Sequence, residues 1–168
     1  GAGIALENRV ATARAFSDIY SETHVHRLAS FFGAFRKALQ ARTRSSDERI
    51  AVLSPGPANE TYFEHAYIAR YLGIMLLEGE DLTIVNGRVM VRTVAGLKPV
   101  SVLWRRLDAA FADPLELDQN SYIGTPGMVQ ALRNGAVTFV NALGSGILET
   151  RALLAFMPTL SRHLLGEE

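Results

Sequence analysis

The feature that most constrains the fold is the stretch 50–73, which combines a short apolar run, a tight turn and an amphipathic helix. Residues 50–53 are uniformly apolar, as in a buried strand. The turn 54–59 contains two prolines that lack an N–H and a glycine that tolerates positive φ. Apolar side chains then recur at helical spacing until Gly73 supplies a stop. A strand that feeds a helix through such a turn opens an α/β unit, whose ligands gather at the strand's carboxyl end.

Strands and helices alternate along the rest of the chain, which favours a mainly parallel sheet with helices on both faces, a Rossmann-like α/β fold. The predicted strands are 50–53, 74–77, 100–104 and 136–140. The predicted helices are 4–20, 25–41, 60–72, 126–134, 147–157 and 158–165, the last two interrupted by Pro158. Asn86-Gly87 between two β-rich runs predicts one type I′ β-hairpin.

This order of elements predicts three parts. Residues 1–48 form an N-terminal helical segment that packs on the sheet, and residues 49–146 form the α/β core. Residues 147–168 form C-terminal helices.

Composition excludes several kinds of partner and site. The 17 Lys and Arg residues balance 17 Asp and Glu residues, which gives no electrostatic argument for nucleic acid or an anionic membrane. The chain has no cysteine, so disulfides and cysteine nucleophiles are excluded, and we expect a cytoplasmic protein. No apolar run approaches the roughly 20 residues that span a bilayer. No metal site is predicted, while uncovered phenylalanines of the second helix would favour self-association.

The turn after the first strand carries the first candidate binding residues. Asn59 is placed to cap the following helix and to present backbone N–H groups to an anion. Glu60 and His65 are candidates to bind polar groups of a substrate or phosphate from the same turn and helix. The alternative is plain capping by Asn59, with Glu64 and His65 solvated or satisfied within the fold.

Two arginines follow the strand 100–104, at the edge where α/β ligands bind. Neighbours on a strand point to opposite faces, so one of Arg105 and Arg106 should face a given cleft, and Arg105 is slightly favoured. A guanidinium there could bind a carboxylate or phosphate, with Asp108 beside it. The alternative is an ion pair with Asp108 or Asp113.

Two further groups are candidates for the same cleft. Asn8 and Arg9 could reach it from the N-terminal helix, although capping and a structural salt bridge explain them equally well. Gly144, Ser145 and Gly146 precede a predicted helix and form a candidate anion turn. A Gly-Ser-Gly sequence is also common in any tight connection, and it does not match a phosphate-loop fingerprint.

Several separated motifs together resemble the circularly permuted ATP-grasp family of type 2. In chain order they are residues 6–9, residues 54–65, residues 103–106 together with Asp108 and 113–117, and residues 141–146 together with Glu149. This is also their order in the family. The resemblance covers essentially the whole chain. The chain departs from the family pattern at Ala58, where an aromatic is usual, and at Ala109 and Ala110, where acids are usual. Arg151 replaces a common lysine.

The resemblance implies a role in a longer parent protein. ATP-grasp relatives in general are typically carboxylate–amine ligases, in which a carboxylate is activated as an acyl phosphate and attacked by an amine. ATP and magnesium are then implied for the parent. The metal-binding motif would precede residue 1, and the nucleotide-binding lysine and glycine-rich loop would follow residue 168.

The resemblance therefore implies that this chain is the middle, Rossmann-like domain, inactive alone and without catalytic residues of its own. Its implied partners are a flanking ATP-grasp domain and a small carboxylate, amine or peptide substrate. The alternative is a non-catalytic interaction scaffold with the same fold.

Overall fold

The core of the fold is a six-stranded sheet, seen in a computed structural model that describes residues 2–167. The strands are β1 (Arg49–Leu53), β2 (Met75–Leu77), β3 (Leu82–Val85), β4 (Arg88–Thr93), β5 (Gly96–Arg105) and β6 (Thr138–Val140). They lie in the order β2-β1-β5-β4-β3, and β6 also pairs with β5. All the predicted strands are therefore present.

The sheet is mixed, which corrects the expectation of a mainly parallel one. Parallel pairing joins β1 to β2 and to β5, and β5 to β6, whereas β4 pairs antiparallel with β3 and β5. The cause is the length of β5, which begins at Gly96 rather than near residue 100. Its first half continues the antiparallel hairpin after a two-residue connection, and its second half enters the parallel part.

The predicted hairpin turn is confirmed. Asn86 and Gly87 join β3 to β4 with φ of 51° and 74°, and a type I′ turn requires positive φ at both positions.

Helices cover both faces of the sheet. They are α1 (Ala2–Ala15), α2 (Ser17–Glu22), α3 (Ala29–Gln40), α4 (Tyr62–Leu72), α5 (Met128–Arg133) and α6 (Met157–Leu165). Side chains of β1 alternate between two apolar clusters: Val52 packs with residues of α1, α3 and α4, whereas Ala51 and Leu53 pack with residues of α5. The expectation of helices on both faces is confirmed.

Two helix predictions differ from the structure. The predicted helix 4–20 is divided at Phe16 into α1 and α2. Pro158 does not interrupt a helix, because it lies in the first turn of α6, where a missing N–H costs nothing. The predicted α-helix 147–157 is wrong: the residues before α6 form two 3₁₀ segments, Ser145–Glu149 and Arg151–Phe156.

Between residues 2 and 167, no helix combines the length and apolar character needed to cross a membrane. The three-part division of the chain stays a prediction.

Candidate functional site

A cleft of about 430 Å³ lies at the carboxyl ends of β1, β5 and β6. Six of the residues predicted from the sequence border it: Asn59, Arg105, Arg106, Asp108, Ser145 and Gly146. They come from three separate segments of the chain, and the parallel strands bring these segments to one edge. The juxtaposition expected of Asn59, Arg105 and Ser145 is therefore present, while their binding of a ligand stays a prediction.

The other candidates lie outside this cleft. Asn8, Glu60 and Gly144 are exposed, and none of them borders it. Arg9 lines a separate groove between α1, α2 and α3, where its Nη1 donates to the carbonyl of His26 at 3.3 Å. His65 is buried within the fold.

Arg105 is held by backbone carbonyl groups. Its Nε donates to the carbonyl of Asn141 at 2.9 Å, Nη2 donates to that of Ala142 at 3.3 Å, and Nη1 donates to that of Leu107. Burial lowers the pKa of Arg105, while the negative charges of Asp108 and Glu149 act in the opposite direction. Arg105 therefore joins the end of β5 to the loop after β6 and shapes the wall of the cleft.

Arg106 is more accessible than Arg105. It lies one residue beyond β5, where strict alternation of side chains ends, so both arginines border the cleft. Its side chain is 27% exposed, and Nη2 lies 3.5 Å from Oε1 of Glu64. Among residues 2–167 this is the only hydrogen bond of the Arg106 guanidinium, so most of its five N–H donors remain for a ligand.

The ion pairs considered from the sequence do not form. Asp108 instead accepts a hydrogen bond from the Ala110 N–H at 3.2 Å. Asp113, which is fully buried, accepts from the backbone N–H of Leu115 and from two N–H groups at the start of α5, those of Gly127 and Val129. The carboxylate that pairs with Arg106 is Glu64, 42 positions earlier in the chain, and its Oε1 also accepts from the N–H of Gly3 at 3.3 Å.

His65 connects the end of β1 to Asn59 through a chain of hydrogen bonds. Thr61 Oγ1 donates to Asn59 Oδ1 at 2.6 Å, so it must accept from His65 Nε2 at 3.0 Å. That tautomer leaves Nδ1 as the acceptor for the Ser54 hydroxyl, also at 3.0 Å. Burial lowers the pKa of His65, which favours the neutral imidazole, and the ring joins the end of β1 to the turn that carries Asn59.

The same network determines what Asn59 can offer. Its Oδ1 accepts from both the N–H and the hydroxyl of Thr61, at 2.9 and 2.6 Å. Its amide nitrogen has no hydrogen-bond partner in the part of the chain that the structure describes. Asn59 therefore borders the cleft with two N–H donors to spare. It does not cap α4 as expected, because the N-cap residue is Thr61; its oxygen instead closes a turn onto Thr61.

Two polar residues of the cleft were not among the candidates: Asn141 and Glu149. Asn141 directly follows β6, so its place at the carboxyl edge was a usable signal. Glu149 belonged to a quoted motif, but nothing local to it indicated that the 3₁₀ turn after Gly144 would bring it back to the cleft.

Gly3→Ala tests the contact that supports Glu64. A Cβ at position 3 would lie 2.2 Å from Cγ and 2.8 Å from the carbonyl oxygen of Glu64, so α1 must move away from α4. We expect the free energy of unfolding to fall by about 1–3 kcal/mol, measured by chemical denaturation.

Gly33→Ala is the matched control, because Gly33 lies in α3 with no atom within 4 Å of an added Cβ. It should raise stability by up to about 1 kcal/mol, since alanine is the better helix former. Equal effects of the two substitutions would contradict the close α1–α4 contact.

His65→Asn tests the neutral imidazole. Burial, followed by the positive charge of Arg106, lowers the His65 pKa below 6.5, against a smaller opposing effect of Glu64. The imidazole of the unfolded chain therefore binds a proton more readily than that of the folded chain. As the pH drops through about 6.5, the free energy of unfolding falls, by at most about 1.4 kcal/mol per pH unit.

We expect the free energy of unfolding, measured by denaturation between about pH 7.5 and 5, to depend less steeply on pH in His65→Asn than in the wild type. His163→Asn, at an exposed position, should keep the wild-type slope. An unchanged slope in His65→Asn would refute a buried neutral imidazole.

Comparisons with known proteins give a family and several relatives. The model of the family described as circularly permuted ATP-grasp type 2 matches residues 1–168. The uncharacterised protein Rv2567 of Mycobacterium tuberculosis is 44% identical over 99% of this chain, a match that spans 19% of its own length.

Two other uncharacterised proteins match the whole chain. Rv2411c of Mycobacterium tuberculosis is 35% identical to this chain, and the match spans 31% of the length of Rv2411c. The protein sll0335 of Synechocystis is 33% identical, and the match spans 35% of its length. The chain therefore spans between 19% and 35% of the length of these curated relatives.

Proposed function

The chain belongs to the circularly permuted ATP-grasp type 2 family, and from that premise we propose that it supplies a substrate-binding half-cleft to an ATP-dependent carboxylate–amine ligase. The half-cleft is the one bordered by Asn59, Arg105, Arg106 and Ser145. An ATP-grasp domain elsewhere in a longer parent protein would close it. The greater length of the relatives supports this arrangement.

The observation that carries the proposal is the set of hydrogen-bond donors at the carboxyl edge of the sheet. Arg106 and the amide nitrogen of Asn59 border one cleft with donors that no described residue uses. Arg105 and the His65 network hold the surrounding backbone in place. Hydrogen-bond donors that the fold holds in position before a ligand arrives are suited to binding the carboxylate group of a substrate.

Magnesium and ATP do not fit the described residues. No three His, Asp or Glu side chains between residues 2 and 167 converge to hold a metal ion. Two carboxylates, Asp108 and Glu149, border the cleft and would oppose a triphosphate. We therefore assign nucleotide and metal binding to other parts of the parent protein, and no catalytic residue to this chain.

The test is ADP formation by the natural full-length protein that contains these 168 residues. It should require magnesium, ATP, a carboxylate and an amine, offered as a panel of amino acids and dipeptides. Asn59→Ala removes the amide donors and should lower kcat/KM by about tenfold or more. Arg14→Ala, exposed on α1, is the control and should leave kcat/KM unchanged.

A scaffold function is the second candidate, because one surface is strongly apolar. In the 3₁₀ segments and α6 no residue is buried, and Ile147, Leu154 and Leu164 are 68%, 70% and 72% exposed. Surfaces of this kind mark interfaces. ADP formation absent with every substrate, together with a stable stoichiometric protein complex, would favour the scaffold over the ligase.

A further inference from the structure

The charges around the cleft identify the class of ligand that it takes. We propose that it binds a zwitterion, a free α-amino acid or a dipeptide, with the ligand carboxylate at Arg106 and Asn59 and the ammonium at Asp108 and Glu149. The inference rests on the proposed function, because it names the substrate class of the same cleft.

The charged groups that border the cleft balance one another. Two guanidinium groups, Arg105 and Arg106, and two carboxylates, Asp108 and Glu149, border the cleft, so their formal charges cancel. A ligand with both charges can meet both kinds of group, whereas an anion alone gains from the arginines and is opposed by the carboxylates.

The two arginines of the cleft differ in how many of their hydrogen-bond donors are already used. Three N–H groups of Arg105 donate to backbone carbonyls. Arg106 makes one hydrogen bond, so most of its N–H donors are available to a ligand. The amide nitrogen of Asn59 adds two more donors to the same cleft. Together they can bind both oxygens of a carboxylate.

The two carboxylates of the cleft are available to a cationic group. Within residues 2–167, neither Asp108 nor Glu149 has an ion-pair partner within 4 Å. Asp108 accepts one backbone N–H through Oδ1, and the Glu149 carboxylate accepts no hydrogen bond within the same range. Both can therefore accept hydrogen bonds from an ammonium group, which has three donors and no acceptor.

The size of the cleft agrees with a small zwitterion. About 430 Å³ lies toward the lower end of the range of roughly 300–1,000 Å³ for small-molecule sites. The same carboxylates disfavour phosphate, which was the other ligand considered from the sequence. A phosphate carries more negative charge than a carboxylate and no ammonium group to offset Asp108 and Glu149.

Isothermal titration calorimetry on the natural full-length protein tests the proposal with matched probes. The probes are alanine and alanylalanine, the N-acetyl derivative and the C-terminal amide of each, and inorganic phosphate. The free zwitterion should bind about fivefold more tightly than either blocked form, because each block removes one charged contact. Phosphate should bind more weakly than the zwitterion.

Two variants separate the ends of the ligand. Glu149→Gln should weaken binding of the free zwitterion about fivefold and leave the N-acetyl form unchanged or tighter. Arg106→Gln should weaken the zwitterion and the N-acetyl form, and spare the amide. Glu22→Gln and Arg14→Gln, exposed residues outside the cleft, should bind every probe as the wild type does.

Three results would overturn the proposal: equal binding of the free and N-acetylated forms, tighter binding of phosphate, or no binding of either zwitterion. Failure of the proposed function looks different. Binding of the zwitterion without ADP formation would refute the ligase and support the zwitterion site. ADP formation with substrates that lack an ammonium group would do the reverse.

Discussion

Arg105→Ala is expected to lower the free energy of unfolding by about 2–4 kcal/mol, although Arg105 borders the candidate binding cleft. The substitution leaves three carbonyl oxygens, those of Leu107, Asn141 and Ala142, without their donor. The Leu107 contact is buried and the other two are partly buried, so the loss is smaller than for three fully buried groups. Urea denaturation followed by circular dichroism measures the change.

Arg106→Ala is the matched control, because the guanidinium of Arg106 is 27% exposed and makes one long ion pair, at 3.5 Å, with Glu64. It should change stability by less than about 1 kcal/mol. Similar losses in the two variants would show that Arg105 does not carry the structural role. The pair therefore separates a residue that builds the cleft from one that is available to a ligand.

Asp113→Ala should have a larger effect, about 3–5 kcal/mol of stability. The side chain is fully buried. Its oxygens accept from the N–H groups of Leu115 at 2.9 Å, Gly127 at 3.2 Å and Val129 at 2.9 Å. Removing the carboxylate leaves three backbone donors unsatisfied and detaches the start of α5 from the loop that follows β5.

Two further variants control for this effect. Asp118→Ala removes a carboxylate that accepts from one exposed backbone N–H, of Asn120 at 2.9 Å, and should cost less than about 1 kcal/mol. Asp113→Asn keeps one acceptor oxygen, so its loss of unfolding free energy should lie between those of Asp113→Ala and Asp118→Ala. Unfolding midpoints in urea that are equal for Asp113→Ala and Asp118→Ala would contradict the assigned role of Asp113.

The sequence predicted those parts of the fold that depend on local chemistry. Asn86-Gly87 determines a hairpin because both positions need positive φ. Gly73 ends α4 in a left-handed conformation for the same reason, with φ of 65°. The mixed sheet was missed because Pro99 lies within β5, and a proline argues against continuing a strand.

The arrangement of the cleft could be predicted only in part. Ligands of α/β folds bind at the carboxyl ends of strands, and this rule depends on topology alone. It correctly predicted that Asn59, Arg105 and Ser145 border one cleft. The partners of each side chain depend on tertiary contacts. Arg105 bonds carbonyls 36 and 37 residues away, and Arg106 pairs with Glu64 across 42 residues, separations at which sequence spacing carries no signal.

We propose that Arg106 belongs to the substrate half-site of a ligase. The most direct test is magnesium-dependent ADP release by the full-length parent protein carrying Arg106→Ala. We predict that kcat/KM for the activating substrate falls by about tenfold or more, while the unfolding free energy changes by less than about 1 kcal/mol. Wild-type kcat/KM in a folded Arg106→Ala protein would contradict the claim.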